Sequence, residues 1–217
     1  MPLLGSADAL PAVAAQRLQA SFLRQLFAAP PSWSPEPVVE RELEPDQQVH
    51  PAAVLIGLVD YGSDLTVLLT RRASRLRKHA GQIAFPGGRC DSGDHSIEYT
   101  ALREAHEEVG LAEHQAEVLG LMPQYQTGTG FRITPVVAII EPGVAWRPAA
   151  DEVDQVFEVP LEFLMNPRNH QRRRMLAANG HRDFFAMPWC KPGSGEEYFI
   201  WGATAAMLRN LYRMLAA

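Results

Sequence analysis

The stretch from Ala52 to Val59 constrains the fold most, because nearly every residue in it is apolar. A run of this length and composition is typical of a strand that is buried on both faces. Turn residues at 62–64 follow it, and residues 65–72 then predict a second strand. The chain therefore needs other elements to cover both faces of a sheet.

The remaining pattern predicts more strands and a few helices. Strands are predicted at 116–125, 133–140, 156–160, 182–189 and 197–201, with a short strand ending in a loop at 82–88. Helices are predicted at 9–28, 96–109, 161–165 and 203–216. Helices and strands do not alternate strictly, so the expected fold class is α/β (α+β), with a mixed β-sheet between helices. A proline-rich, charged stretch follows the first helix. We therefore predict an N-terminal helix and arm at residues 1–50 and one domain at 51–217.

Composition limits the classes of partner. The net charge of −5 argues against a nucleic-acid partner, and no stretch approaches the ~18 apolar residues that span a membrane. The two cysteines, Cys90 and Cys190, form neither a CxxC pair nor a disulfide framework. The N-terminus lacks the pattern of a signal peptide. We expect a cytoplasmic protein that acts on a small molecule, and the sequence leaves a homodimer open.

The octet REAHEEVG, residues 103–110, places three glutamates within five residues of the predicted helix 96–109. At about 100° per residue, Glu104, Glu107 and Glu108 share an arc of about 100° beside an apolar face. Like charges this close destabilise a helix by about 0.2–0.5 kcal/mol per pair. A divalent cation would remove that repulsion, and oxygen ligands suit Mg²⁺ or Mn²⁺. A solvated acidic face is the alternative interpretation.

The segment from Gly88 to Leu111 resembles the Nudix box, whose usual form is G-x5-E-x7-R-E-U-x-E-E-x-G-U. The second half matches at every defined position, with Ala105 as a small version of the aliphatic residue. The first half is one residue longer than usual. Asp94 stands at the place of the first glutamate when counted from Gly88, and His95 when counted back from Arg103.

Two further segments sharpen the resemblance. LLTRRASRLRKHAGQIAFPGG, residues 68–88, is similar to the signature of the coenzyme A pyrophosphatase branch at every position, and YFIWGATA, residues 198–205, resembles that branch's C-terminal segment. The resemblance covers about residues 50–216. It implies a Nudix α/β/α sandwich and metal-dependent hydrolysis of the diphosphate of coenzyme A, giving 3′,5′-ADP and 4′-phosphopantetheine.

The resemblance also implies roles for individual residues. Glu104 and Glu108 are expected as direct ligands of Mg²⁺ or Mn²⁺, with the Gly88 carbonyl completing the shell. Glu107 is expected either as a third ligand or as a catalytic residue paired with Arg103, which stands one helical turn away. Among Asp151, Glu152 and Asp154, Glu152 is favoured as the general base, although a solvated acidic turn fits equally well. Substrate contacts are expected from Arg72, Arg77, Gly81, Gln82, Phe85 and Gly87, with the two arginines reading the 3′-phosphate.

Other readings of the same residues stay open. The substrate could be another nucleoside diphosphate derivative, such as ADP-ribose, NADH or a modified nucleotide. A Nudix-fold ligand sensor without turnover is a second alternative, and the intact glutamates count against it. The basic run 168–174 is predicted to be a solvated face. Aromatic side chains could wall a ligand pocket, but core packing is predicted for most of them: Phe184, Phe185, Trp189, Tyr198, Phe199 and Trp201.

Overall fold

The computed structural model describes residues 1–7, 9–36, 47–177 and 180–217, without the side chain of Ala177. The strands in these ranges are β1 Leu3–Ser6, β2 His50–Asp60, β3 Leu65–Arg72, β4 Ile83–Ala84, β5 Gly87–Arg89, β6 Ala116–Leu121, β7 Tyr125–Gln126, β8 Phe131–Ile140, β9 Val153–Pro160, β10 Gln171–Ala177, β11 Gly180–Cys190 and β12 Glu197–Trp201. The α-helices are α1 Ala20–Ala28, α2 Ile97–Val109, α3 Leu161–Leu164 and α4 Gly202–Ala216, and short 3₁₀ turns lie at Ala15–Leu18, Glu113–Gln115 and Pro167–Asn169.

The central sheet is mixed, as predicted. Its strand order is β4-β3-β2-β8-β6, with β5 and β7 paired to β2 and β8, and β9 paired to β3. Strands β2 and β8 run parallel from His50 opposite Phe131 to Val59 opposite Ile140. The other pairs in this sheet are antiparallel. The apolar stretch 52–59 is therefore a central strand, which explains its composition.

Helices and a second sheet cover the two faces of this sheet. On one face, Ala101, Ala105 and Val109 of α2 pack against β2 and β8 in one hydrophobic cluster. On the other face, α1 and α4 contribute to a larger cluster with β2 and β3. The predicted fold class, a mixed sheet between helices, is confirmed. None of the described helices is long and apolar enough to cross a membrane.

The second sheet is antiparallel and has the order β1-β10-β11-β12. The sequence predicts β11 and β12 but neither β1 nor β10. The basic run predicted as a solvated face is largely strand β10, whose arginines alternate between two faces of the sheet. This strand pairs along its whole length with β11, from Gln171 opposite Ala186 to Ala177 opposite Gly180.

The N-terminal segment differs most from its prediction. The helix predicted at 9–28 begins only at Ala20, because Gln19 is extended and the backbone N–H of Val13 is donated to the carbonyl of Met165. Tertiary contacts thus replace the first helical turns. The side chains of Leu18 and Leu23 enter the same cluster as α4. The domain boundary at residue 50 stays a prediction.

Proline explains two further differences. The strand predicted at 116–125 is divided into β6 and β7, and Pro123 lies in the break. At 82–88, the predicted short strand is β4, and the predicted loop after Pro86 pairs again as β5. A proline has no backbone N–H, so it cannot donate to a strand ladder.

Burial of α1 predicts a measurable contribution to stability. Replacing Leu23, which is fully buried, with alanine should lower the free energy of unfolding by about 2–5 kcal/mol, because a cavity forms beneath the helix. Denaturant unfolding followed by circular dichroism measures this change. The matched control is Gln25→Ala on the exposed side of α1, which should change stability by less than about 0.5 kcal/mol. Equal effects of the two substitutions would show that α1 does not belong to the core.

Candidate active site

Two glycines bring the loop before α2 against the catalytic candidates. In β5, Gly87 lies opposite Val54 and Gly88 lies opposite Ala53. A Cβ atom added at Gly87 would lie 2.4 Å from the carbonyl oxygen of Ala53. A Cβ atom added at Gly88 would lie 2.6 Å from the carboxylate oxygens of Glu104. The backbone of Gly88 therefore touches Glu104 at a distance that only glycine allows.

Glu108 is the most deeply buried acid of the site, with 4% of its side chain exposed. Its Oε2 accepts a hydrogen bond from the backbone N–H of Gly87 at 3.3 Å, and its Oε1 lies 3.8 Å from Nη1 of Arg72. Burial raises the pKa of Glu108 to about 7, and the charges of Glu152 and Glu104 act in the same direction. The hydrogen bond from Gly87 and the charge of Arg72 only partly compensate for this cost.

Glu104 lies one helical turn earlier, with 15% of its side chain exposed. Burial raises the pKa of Glu104 above its usual value, and the charges of Glu107 and Glu152 add to the increase. Arg103 opposes it, with Nη2 at 3.1 Å from Oε1 of Glu104. One buried and one partly buried carboxylate thus face the same region with incomplete charge compensation.

Arg103 is held in place chiefly by Asp94. Its Nε donates to Oδ1 of Asp94 at 2.9 Å and its Nη2 to Oδ2 at 3.0 Å, a bidentate pair. The hydroxyl of Thr100 and the backbone N–H of Asp91 also donate to Oδ2. These contacts, above all those of Arg103, hold the pKa of Asp94 well below its usual range.

The structure therefore resolves the two alignments of the first half of the motif. Asp94, and not His95, faces Arg103, so the additional residue lies between Asp94 and Arg103. The ring of His95 instead packs against Tyr99, with ring centroids 4.3 Å apart. The N-cap of α2 is Ser96, whose hydroxyl accepts a hydrogen bond from the backbone N–H of Tyr99.

Glu107 lies on the rim of the site. Its Oε2 accepts from Nη1 of Arg103 at 3.2 Å, the i,i+4 pairing that the sequence predicts. Its side chain is 58% exposed, in contrast to Glu104 and Glu108. Of the two roles predicted for Glu107, the structure favours that of partner to Arg103.

The loop before β9 brings Glu152 to the site. The backbone N–H of Ala149 donates to the carbonyl of Glu108, and the carbonyl of Glu152 accepts from Ala73. The charge of Glu152 raises the pKa of both Glu104 and Glu108. Its neighbours are engaged elsewhere, since Asp151 pairs with Arg75 at 3.0 Å and Asp154 accepts from the backbone of Ser74. Of the three acids, Glu152 therefore fits the predicted base best, and its role stays a prediction.

The donor set fits a hard divalent cation by its chemistry. In the ranges that the structure describes, no three His, Cys, Asp or Glu side chains already converge into a metal site. However, the carboxylate of Glu108 is buried and that of Glu104 is partly buried, the two repel each other, and they lie beside the backbone of Gly87 and Gly88 respectively. A cation bound by these oxygens would offset both the repulsion and the cost of burial.

A cleft of about 370 Å³ adjoins this acidic site through Arg72. Arg72 lines the cleft and lies beside Glu108, and its Nε is buried without a hydrogen-bond acceptor among the described residues. The walls come from both sheets and from the start of α4, and include Gln82, Ile83, Phe131, Met175, Arg182, Phe184, Trp201 and Thr204. An orphaned buried donor in a cleft beside carboxylates is a candidate contact for an anionic ligand.

The predicted substrate residues fall into three groups. Arg72 and Gln82 line the cleft. Gly81 lies in a turn with φ of +69°, and the backbone N–H of Gly87 donates to Glu108. Arg77 is exposed and lines neither this cleft nor the second cavity of about 230 Å³. Phe85 is only 3% exposed and belongs to the larger hydrophobic cluster. Its side chain therefore packs the core, which corrects the predicted substrate contact.

Sequence reasoning missed the contribution of the second sheet to the cleft. Met175 of β10 and Arg182 of β11 line it, although neither was a candidate. The Asn-Gly pair at 179–180, a strong hairpin signal, could have revealed these strands. The prediction of core packing is confirmed for Phe184, Trp189 and Tyr198, which are buried. Phe184 and Trp201 also line the cleft.

Comparison with known proteins decides the family. Residues 49–179 match the model of the NUDIX domain, which is more than half of the chain. This chain belongs to the Nudix hydrolase family. The Nudix hydrolase NudL of Salmonella paratyphi B, described as uncharacterized, is 47% identical over 161 residues, 74% of this chain and 80% of NudL.

Two solved structures of Nudix-type proteins are also similar. The Nudix hydrolase RenU of M. smegmatis is 28% identical, over 52% of this chain and 71% of RenU, with a TM-score of 0.45. An Ap4A hydrolase of C. elegans is 18% identical, over 55% of this chain and 86% of that protein, with a TM-score of 0.46. The family assignment rests on the NUDIX domain and NudL. As a Nudix hydrolase, the chain is an enzyme that acts on pyrophosphate bonds.

The close approach at Gly88 leads to a prediction. Gly88→Ala should displace the carboxylate of Glu104 with little effect on the free energy of unfolding, because the atoms that the methyl group meets are the end of a flexible side chain that can move away. The rise in melting temperature caused by Mg²⁺ or Mn²⁺ should, however, be largely lost. Differential scanning calorimetry with and without the ion measures both quantities.

Gly93→Ala provides the matched control for this loop. A Cβ atom at Gly93 meets no other atom within 4 Å, so the variant should keep both its stability and its response to the ion. A Gly88→Ala protein whose response to the ion equals that of wild type would contradict the assignment of the site.

The raised pKa of Glu108 predicts that the stability of the metal-free protein, measured with a chelator present, depends on pH. The folded-state pKa of Glu108, about 7, lies above the ordinary value of 4.5, so the folded state binds more protons between these values. Stability should therefore be greatest at low pH in this window and fall as the pH rises towards 7. In Glu108→Gln this loss should be clearly smaller, with only the part due to the raised pKa of Glu104 remaining, and urea unfolding at pH 5, 6, 7 and 8 would measure it.

The control for the pH experiment is Glu107→Gln on the exposed rim of the same helix. It should keep the fall in stability that wild type shows. Parallel pH profiles for wild type and Glu108→Gln would refute the raised pKa.

Proposed function

We propose that this Nudix hydrolase cleaves the diphosphate bond of coenzyme A or a derivative of it, in the cytoplasm, giving 3′,5′-ADP and 4′-phosphopantetheine or its acylated form. One observation carries the proposal. Segments 68–88 and 198–205, which resemble the coenzyme A pyrophosphatase branch, line the same cleft. They are also directly joined, since the hydroxyl of Thr204 donates to the carbonyl of Ile83 at 3.0 Å.

The site offers the charges that this reaction needs. Glu104, Glu108 and the carbonyl of Gly88 would hold Mg²⁺ or Mn²⁺. When bound, such an ion neutralises the charge of a diphosphate and lowers the pKa of a water molecule. The resemblance and the donor chemistry of these oxygens both support this ligand set.

The residues of the chain then have distinct tasks. Arg72 binds a phosphoryl oxygen with its Nε, which is buried and has no acceptor among the described residues. A guanidinium forms strong hydrogen bonds with phosphate oxygens where water is excluded. Arg103, held by Asp94, is a positioning residue that orients Glu104. The carboxylate of Glu152, which lies close enough to Glu104 and Glu108 to raise the pKa of both, accepts the proton of the attacking water molecule and becomes neutral.

The shape of the cleft suits the rest of the substrate. Its volume of about 370 Å³ lies in the range of about 300–1,000 Å³ that is usual for small-molecule sites. Phe131, Ile133 and Trp201 supply apolar and aromatic walls against which a purine base or a pantetheine chain can pack. A small organic diphosphate is therefore the class of substrate that the lining favours.

A product assay tests the proposal. Purified protein is incubated with coenzyme A and Mg²⁺, and the products are identified by mass spectrometry, with ADP-ribose, NADH and dephospho-coenzyme A tested in parallel. The proposal predicts 3′,5′-ADP and 4′-phosphopantetheine as products. If ADP-ribose is hydrolysed and coenzyme A is not, another nucleoside diphosphate derivative is the substrate. If no substrate turns over but one binds, the sensor interpretation is favoured.

Substitution of Glu104 and Glu108 tests the catalytic assignment. Glu104→Gln and Glu108→Gln should each reduce the rate of hydrolysis by a factor on the order of 100 or more, because each removes a charged ligand from a site that neutralises a diphosphate. Steady-state kinetics at saturating Mg²⁺ would measure this loss, and circular dichroism would verify the fold.

Glu113→Gln is the matched control, since Glu113 is an exposed acid just beyond the end of α2. Its rate should equal that of wild type. A Glu108→Gln protein with near-normal turnover would disprove the assignment of this carboxylate.

A further inference from the structure

The pairing of β3 with β4 ends in a β-bulge beside the cleft. Beyond the last regular pair, the backbone N–H of Arg72 donates to the carbonyl of Gln82 at 3.0 Å. The backbone N–H of Gly81 donates to the carbonyl of the same arginine at 3.1 Å, so two residues oppose one. Gly81, with φ of +69°, takes the left-handed conformation that this type of bulge requires. Because directly opposed residues project to the same face of a sheet, the side chains of Arg72 and Gln82 are neighbours, and both line the cleft.

The turn that leads into this bulge holds His79 in an uncommon backbone conformation. Its φ of +58° lies in the left-handed region, and no other non-glycine residue in the described ranges has a positive φ. The turn is closed by the backbone N–H of Gln82, which donates to the carbonyl of His79 at 3.2 Å. Conformations of this kind persist where the surrounding structure imposes them, and they are concentrated at functional sites. His79 itself lines the cleft together with Arg72 and Gln82.

A side-chain hydrogen bond joins His79 to Gln82. Nδ1 of His79 lies 2.9 Å from Oε1 of Gln82. Because an amide oxygen can only accept, Nδ1 carries a proton and donates the hydrogen bond. The amide nitrogen of Gln82 has no acceptor among the described residues. The histidine thus engages the oxygen of a half-buried amide in the wall of the cleft and leaves its N–H₂ group for a ligand.

We propose that His79 is a positioning residue for substrate binding, which holds the amide of Gln82 with its nitrogen towards a phosphoryl oxygen of the diphosphate. Arg72 and Gln82 then contact the same diphosphate. The guanidinium supplies positive charge, and the amide supplies a neutral donor of fixed direction. The inference rests on the proposed role of Arg72 at the diphosphate, and not on coenzyme A as the substrate.

The need for such a positioning residue follows from the symmetry of the amide group. A glutamine amide has two orientations of similar energy, related by a rotation of about 180°. In the wrong orientation its oxygen would face an oxygen of the phosphate, so that two acceptors would meet and no hydrogen bond would form. The imidazole of His79 selects the correct orientation before the substrate binds, which lowers the entropy cost of binding.

Equilibrium binding of a diphosphate that is not hydrolysed tests the inference. Isothermal titration calorimetry with α,β-methylene-ADP and Mg²⁺ measures the dissociation constant for the full chain. His79→Gly removes the imidazole without backbone strain, and the dissociation constant should rise about fivefold. His79→Asn should stay within about twofold of wild type, because asparagine tolerates the left-handed conformation and its side-chain N–H₂ can donate in place of Nδ1.

A double-mutant cycle separates this role from a structural one. Gln82→Met removes the amide but keeps the length of the side chain, and it should raise the dissociation constant about tenfold or more, as expected for the loss of a hydrogen bond to a charged group. In the Gln82→Met background, His79→Gly should have no further effect, because the imidazole acts through the amide. With a substrate that turns over, His79→Gly should raise KM by a larger factor than it lowers kcat.

Ala80→Gly is the matched control, since Ala80 is the exposed neighbour of His79 in the same turn and does not line the cleft. This variant loosens the turn but keeps the imidazole, so its binding should equal that of wild type. Because His79 is exposed, its variants should fold, and melting temperatures would verify this.

Four outcomes would overturn the inference. They are absence of binding by wild type, wild-type binding by His79→Gly, an equal effect of His79→Gly with and without the amide of Gln82, and equal weakening by Ala80→Gly. Failure of the proposed function is recognised separately. In that case coenzyme A is not hydrolysed, whereas the binding of α,β-methylene-ADP still follows the expected pattern in the cycle.

Discussion

The site depends on the close contact between a glycine loop and helix α2. At Gly87 a side chain would collide with the backbone of β2, and at Gly88 it would collide with the carboxylate of Glu104. The loop is thereby held between a central strand and the helix, and its backbone supplies both an N–H to Glu108 and a surface against Glu104. A bulkier residue at Gly87 would push the loop away from β2, and one at Gly88 would push the carboxylate of Glu104 away from the loop.

Electrostatics then determine how the acidic residues are arranged. Asp94 neutralises most of the charge of Arg103 through a bidentate pair, and this pair holds the arginine over the helix. Glu107 shares that arginine and stays exposed, whereas Glu108 is buried and Glu104 partly buried, with less compensation. Three glutamates that look equivalent in the sequence therefore have unequal environments, and the two that are poorly neutralised are those that face the loop.

Local patterns predicted the elements around the site well. Helix α2 was predicted to within one residue, because its apolar spacing, the cap at Ser96 and the αL glycine at Gly110 all act within the helix itself. The glutamate face, the pairing of Arg103 with Glu107 and the buried β2 follow from the same short-range geometry. The choice between Asp94 and His95 did not, because it depends on which side chain reaches Arg103 in space.

Long-range pairing explains most of what the sequence did not predict. Strand β1 has only four residues, and β10 is dominated by arginine, so neither carries an apolar alternation. Both exist because they pair within the second sheet. In the same way, the helix expected from residue 9 does not form there, because the backbone N–H of Val13 donates to the carbonyl of Met165 instead. Met175 and Arg182 line the cleft because they belong to the second sheet.

The burial of Glu108 has a consequence for protein engineering. A carboxylate that is costly to bury is a position where a neutral residue of similar shape relieves the fold. Libraries of this protein selected only for resistance to heat should therefore accumulate neutral residues at position 108 and lose the enzyme. Selection for stability would have to be coupled to a screen for turnover, or the glycine loop and α2 would have to be held constant.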